Sequence, residues 1–180
     1  MKRERYKSGE KALTRAEVGR LLEVITDVRD LCFFQLALSG GIRRDDMVNL
    51  KKPDFDFIEG SLVFYESKKR RMHTVYLPKK VLNSVEMVLN AYPHEKTKYL
   101  FPWCSKTGYN KFQMYLGRAG LDRRPFHALR ATCIKLCQGR GWSSEQTAAH
   151  VGDKVSTIQE HYLTPRKAEM KEVVYANGVF

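Results

Sequence analysis

One stretch breaks the rhythm of this chain and limits the folds open to it. From Phe55 to Pro78 the apolar residues fall into short β-rich runs, Phe57-Ile58, Leu62-Val63-Phe64-Tyr65 and Thr74-Val75-Tyr76-Leu77, with breaks at Glu59-Gly60 and at Lys68 to Arg71. On either side the apolar residues recur at helical spacing. The pattern predicts a mainly α fold carrying one small three-stranded antiparallel β-sheet, without internal repeats.

Before the sheet, Thr14-Arg15-Ala16-Glu17 has the form of a capping box. It predicts a first amphipathic helix through Val18, Leu21, Leu22 and Ile25 to about Thr26. A second, more apolar helix is expected over 28–38, stopped by Gly40-Gly41, and a short one over 43–50. After Pro78 further helices are expected at about 79–91, 109–119, 127–139, 144–151, 156–162 and 166–174. Residues 1–12 read as a loose basic arm or linker remnant, 13–165 as one domain, and 166–180 as a C-terminal tail. That tail mixes Met170, Val173, Val174, Tyr175 and Phe180 with polar positions and is too short for a core of its own.

The charge points to a polyanion. Thirty-two Lys and Arg against twenty Asp and Glu leave a formal charge of +12, which favours nucleic acid, although a basic surface alone equally suits acidic proteins or membranes. No stretch approaches the roughly 18 apolar residues of a membrane span, and the charged N-terminus lacks an apolar leader, so a cytoplasmic, DNA-associated protein is expected. The four cysteines, Cys32, Cys104, Cys133 and Cys137, are scattered. Cys133 and Cys137 share a helical face, but without a second pair at ligand spacing no zinc site is expected.

Four separated elements carry candidate chemistry: Arg43 in Gly41-Ile42-Arg43-Arg44-Asp45-Asp46, Lys68 in the hairpin, His127-Ala128-Leu129-Arg130, and Tyr162. Singly, each has an ordinary explanation. An H-x-x-R pair is commonly a surface salt bridge, a hairpin lysine is commonly solvated, and a tyrosine near a terminus commonly packs.

In order and spacing, the set resembles the tyrosine recombinase (phage integrase) family over about residues 12–165. Gly41 to Leu50 looks like the box around that family's first arginine. Gly60 to Lys68, followed by a strand ending in Leu77-Pro78, resembles its lysine hairpin, and Phe126 to Arg130 resembles its H-x-x-R box. Val151-Gly152-Asp153, Thr157 and Tyr162 are similar to its L-G-H, T and Y segment. Arg130 and Asp153 stand 23 positions apart and Asp153 and Tyr162 nine, as that resemblance requires.

The resemblance implies the catalytic-domain fold of that family and a set of roles. Tyr162 would be the nucleophile, forming a 3′-phosphotyrosine. Arg43 and Arg130 would bind the non-bridging phosphate oxygens, Lys68 would protonate the leaving 5′-oxygen, and His127 would give general acid/base help. It further implies no metal and no nucleotide cofactor, double-stranded DNA as partner, and a homotetramer on two DNA sites, with no membrane and no small-molecule substrate. The tail would dock on a neighbouring protomer, with packing in cis as a terminal helix as the alternative. A catalytically weakened DNA-binding regulator on the same fold and a type IB topoisomerase are the competing readings.

Two features depart from the family pattern. Asp153 stands where the family has His or Trp, so its carboxylate is expected to turn away from phosphate, capping the following helix or pairing with a basic neighbour, while His150 or water supplies the contact. A long turn after Lys68 makes Lys69 a competitor for the acid role. Asp46 either holds the Arg43 guanidinium or forms an ordinary surface ion pair. Twelve leading residues leave no room for the family's separate N-terminal DNA-binding domain, so either the chain is a fragment of a longer protein or the partner contacts come from elsewhere.

Overall fold

The computed structural model describes residues 8–162 and 174–175. The basic residues 1–7 lie outside the described residues, as do the expected helix and tail after 162 except for 174–175. The described chain runs through a 3-10 turn at Ser8–Lys11, then α1 (Arg15–Glu23), α2 (Val28–Gly40) and α3 (Arg44–Met47). The sheet strands β1 (Phe55–Asp56), β2 (Ser61–Glu66) and β3 (Arg71–Tyr76) follow. The remaining helices are α4 (Lys79–Ala91), α5 (Ser105–Arg118), α6 (His127–Gln138), α7 (Ser144–Val151) and α8 (Val155–His161). No helix among the described residues is long and apolar enough to cross a membrane.

Local chemistry sets most of these boundaries. The Thr14–Glu17 capping box forms, satisfying two backbone donors at the start of α1. That helix ends earlier than the apolar spacing predicts, because the Val24 N–H closes on the Leu22 carbonyl. Asp27 caps α2, and Gly41 ends it in the left-handed region at φ 59°. A side chain at Gly41 would also come within 2.8 Å of Val151 Cγ1, so glycine is needed there twice over. α3 is one turn rather than the expected two, since Lys51 leaves it to bridge Tyr99 as an isolated β-pair. Arg43 is therefore the extended residue before the helix, not part of it.

The sheet is antiparallel in the order β1-β2-β3, with Leu62 opposite Val75 and Glu66 opposite Arg71. Alternation puts Leu62, Phe64 and Glu66 on the covered face. Residues 67–70 form the tight turn, and Arg70 takes the left-handed conformation at φ 53°.

α2 is the central helix: Phe33, Phe34, Leu36 and Ala37 are fully buried. Phe33 meets Phe101 edge-to-face at 4.9 Å and packs against Trp103 and Phe126. A second, smaller cluster joins Ala131, Ile134, Val151, Ile158 and Tyr162. α6 lies between the two, giving Leu129 to the first and Ala131 to the second.

Residues 8–12 depart from the expected loose arm. Ala12 is buried, Gly9 lies close to the backbone of His161 and Tyr162, and Leu13 donates its N–H to Thr132 on α6 at 2.8 Å. The chain entering the fold thus braces the end of α8.

Candidate active site

One cleft, about 1060 Å³ in volume, is lined by Arg43, Lys68, His127, Arg130, Asp153 and Tyr162 together. Residues separated by up to 119 positions in sequence meet there, along with Thr157, Arg44 and Lys69. The charged lining is basic, broken by the carboxylates of Asp45 and Asp153.

Each charged group is held by the local fold. Arg130, on the first turn of α6, is buried and donates to the Gly41 carbonyl at 2.6 Å and to Asp153 Oδ2 at 3.0 Å. The left-handed turn at Gly41 aims that carbonyl, so the stop signal of α2 also positions a guanidinium. Arg43 donates to Glu66 Oε1 at 2.5 Å and lies 3.9 Å from Asp153 Oδ2. Glu66 is 1% exposed and also accepts from Arg71 at 2.9 Å. Burial alone would raise its pKa, but the hydrogen bonds from Arg71 and Arg43 outweigh that and hold it below the usual carboxylate range.

Glu66 was not among the residues picked out from sequence, although a signal for it was present. An acid at the third covered position of a strand, after Leu62 and Phe64, has to be paired. Asp46 takes neither of its expected roles: it is buried and accepts from the Ser67 N–H at 3.0 Å, pinning the start of the hairpin turn.

Asp153 also differs from expectation in part. It does pair with basic neighbours, but it does not cap α8, whose N-cap is Lys154 with no side-chain cap bond. Nor does it turn away: Oδ2 faces both arginines and Oδ1 lies 3.5 Å from Lys69 Nζ. Burial works against its ionisation, yet Arg130 prevails and lowers its pKa. Its carboxylate therefore stands as an internal anion between the guanidinium groups. His150 does not line the cleft and is bonded to the Ser39 carbonyl at 2.7 Å.

That depressed pKa has a defined sign. The stability Asp153 contributes is fully present above the unfolded-chain value near 4 and is lost as pH falls through its lower folded value. Asp153→Asn is accordingly expected to flatten the loss of stability below about pH 4, read from urea unfolding at a series of pH values. An unchanged slope would mean that the ion pair with Arg130 does not form in solution.

His127 begins α6, and its Nε2 lies 2.8 Å from the Tyr162 hydroxyl. Desolvation lowers the imidazole pKa, and Arg130 and Arg43 lower it further, although part of the ring remains open to the cleft. These effects favour the neutral imidazole, the form in which Nε2 can accept the phenolic hydrogen. The two candidate lysines differ. Lys69 is tethered to the Gly152 carbonyl at 2.7 Å and to Asp153, whereas Lys68 is exposed on the turn at the cleft mouth.

Comparison with known proteins bears on the family and the fold. The model of the phage integrase family matches residues 11–169. Tyrosine recombinase XerA of Thermococcus onnurineus (strain NA1) is 31% identical over 135 residues, covering 69% of this chain and 47% of that protein. Its counterpart from Pyrococcus furiosus is 29% identical over 175 residues, covering 91% of this chain and 60% of that one. The chain thus spans about half the length of these curated relatives. Among solved structures, XerA recombinase superposes with a TM-score of 0.81 at 20% identity, covering 92% of this chain and 64% of that one. The catalytic domain of bacteriophage HP1 integrase gives 0.67 at 18% identity, covering 93% and 95%. A pre-cleavage complex of the site-specific recombinase XerH with its difH substrate gives 0.68 at 18%, covering 92% and 52%. At these identities the solved structures establish the fold, that of tyrosine recombinase catalytic domains.

Proposed function

This chain belongs to the phage integrase family, and on that premise we propose that it cleaves and rejoins duplex DNA at specific sites through a 3′-phosphotyrosine at Tyr162. The observation that carries the proposal is the 2.8 Å contact between Tyr162 and His127 in a cleft that also holds Arg43 and Arg130.

The reaction follows from those groups. The Tyr162 oxygen attacks the scissile phosphorus as its proton passes to His127 Nε2, and a tyrosine–phosphate bond forms while the bond to the 5′-oxygen breaks. Arg130 and Arg43 bind the charge that builds on the non-bridging oxygens. Both are fixed by Gly41 and Glu66 before DNA arrives, so little reorganisation is required of them. A lysine protonates the departing 5′-oxygen. The phosphotyrosine keeps the energy of the cut strand, and attack by a 5′-hydroxyl reverses the step without ATP. Assembly as a homotetramer on two DNA sites, with the tail at 166–180 reaching a neighbouring protomer, belongs to the same proposal.

A nicked suicide substrate tests it: a covalent adduct on a denaturing gel is expected, followed by strand-exchange products when two sites are supplied. DNA binding without any adduct would favour the regulator, a reading that Asp153 between the two arginines supports. Relaxation of supercoils without exchange would favour a topoisomerase.

The freedom of Lys68 supports it, rather than Lys69, as the general acid. Lys68→Ala should slow cleavage of ordinary DNA by roughly 10² or more and be restored by a substrate with sulfur at the 5′-bridging position, since a thiolate leaves without protonation. Selective rescue of Lys69→Ala instead would move the role to the tethered lysine.

A further inference from the structure

Further along α6, a second group of reactive side chains opens on a separate cleft of about 580 Å³ that shares no lining residue with the first. Cys133 and Cys137 stand one helical turn apart, and His150 reaches them from the last turn of α7. One donor atom from each lies within 4.8 Å of the other two. Sequence spacing joined only the two cysteines, because His150 arrives through the packing of α7 on α6.

The surroundings prepare these groups as ligands. A carbonyl can only accept, so His150 Nε2, 2.7 Å from the Ser39 oxygen, carries the ring proton and Nδ1 keeps its lone pair. Cys133 also approaches the Ser39 oxygen, at 3.4 Å.

We propose that Cys133, Cys137 and His150 form a binding site for a thiophilic divalent cation of the zinc class, with the fourth position open to solvent in the cleft. Two thiolates and an imidazole are soft and borderline donors that suit zinc rather than magnesium or calcium. Tetrahedral zinc with bonds of about 2.0–2.3 Å sets its donors roughly 3.5–3.8 Å apart, so the group has to contract by about 1 Å. The Ser39 carbonyl supplies the outer contact that commonly orients a ligating histidine. The cleft provides an entry path. Binding expels the thiol protons to solvent, so affinity increases with pH. A bound ion would tie α6, which carries His127 and Arg130, to α7, which leads into Asp153.

Cobalt(II) is the probe. Titration of the reduced protein should saturate at one equivalent with a thiolate-to-cobalt charge-transfer band and the strong visible bands of tetrahedral cobalt. Zinc should displace the cobalt. Cys137→Ser and His150→Gln should each weaken binding by about tenfold or more. Trp142 packs edge-on against the His150 ring at 5.2 Å, so cobalt should also quench its fluorescence in the unaltered protein, and Trp142→Phe should remove that quenching. This second readout holds even if a ligand variant fails to fold. Absence of stoichiometric binding at micromolar cobalt, a charge-transfer band that persists in both ligand variants, or quenching that survives loss of Trp142 would each overturn the site. None of these measurements requires DNA or recombinase activity.

Discussion

Tyr162→Phe is expected to abolish the covalent adduct with a nicked substrate while leaving DNA affinity within a few-fold. The substitution removes one oxygen and nothing else from a ring that is 3% exposed and packed in the smaller apolar cluster. His127, its 2.8 Å partner, is assigned the proton rather than the phosphorus. The fold should lose about 1 kcal/mol, the net worth of one hydrogen bond. A denaturing gel and a gel shift on the same samples separate chemistry from binding. An adduct formed by the Phe variant would remove Tyr162 from the mechanism.

Arg130→Ala should lower cleavage per folded molecule by at least about 10², as expected for loss of one preorganised donor to a developing oxyanion. A second, independent loss is expected in stability, roughly 3 kcal/mol. Arg130 is 3% exposed, and its removal leaves the Gly41 carbonyl without its donor and Asp153 without its principal cation. Arg130→Lys separates the two effects. It retains a charge near Asp153 but cannot present two parallel N–H groups to one phosphate, so stability should largely return while cleavage stays low. If Arg130→Ala lost less than tenfold in cleavage when corrected for the folded fraction, this guanidinium would be structural only.

Much of this architecture was written in local patterns. The Thr14–Glu17 box, the Gly41 stop and the two breaks in the β-rich stretch act within a few residues of themselves, and the helix of 79–91 falls as its periodicity predicts. The six candidate residues share one cleft because their order and spacing matched a known fold. What sequence concealed is long-range. Whether Arg43 is held by Asp46 three residues away or by Glu66 on a strand depends on where the hairpin lies, and local proximity pointed to the wrong acid. Asp153 looked like a helix cap because capping is a local habit, yet two arginines from different elements draw it into the cleft. The turn at Ser8–Lys11 was unreadable for the same reason, since its partners are the distant helices α6 and α8.

The division of the interior into two apolar clusters means that the domain need not open all at once. Phe126 and Leu129 anchor the start of α6 in the large cluster around Phe33, so amide exchange there should proceed only with global unfolding. Ile158 and Tyr162 belong to the small cluster, held mainly by α7 and the far side of α6. Its opening costs less apolar burial, and the amides of α8 should exchange sooner than those of α2 or α6. Tyr162, the proposed nucleophile, lies in that smaller cluster, which should open and close while the cationic frame beside it keeps its shape.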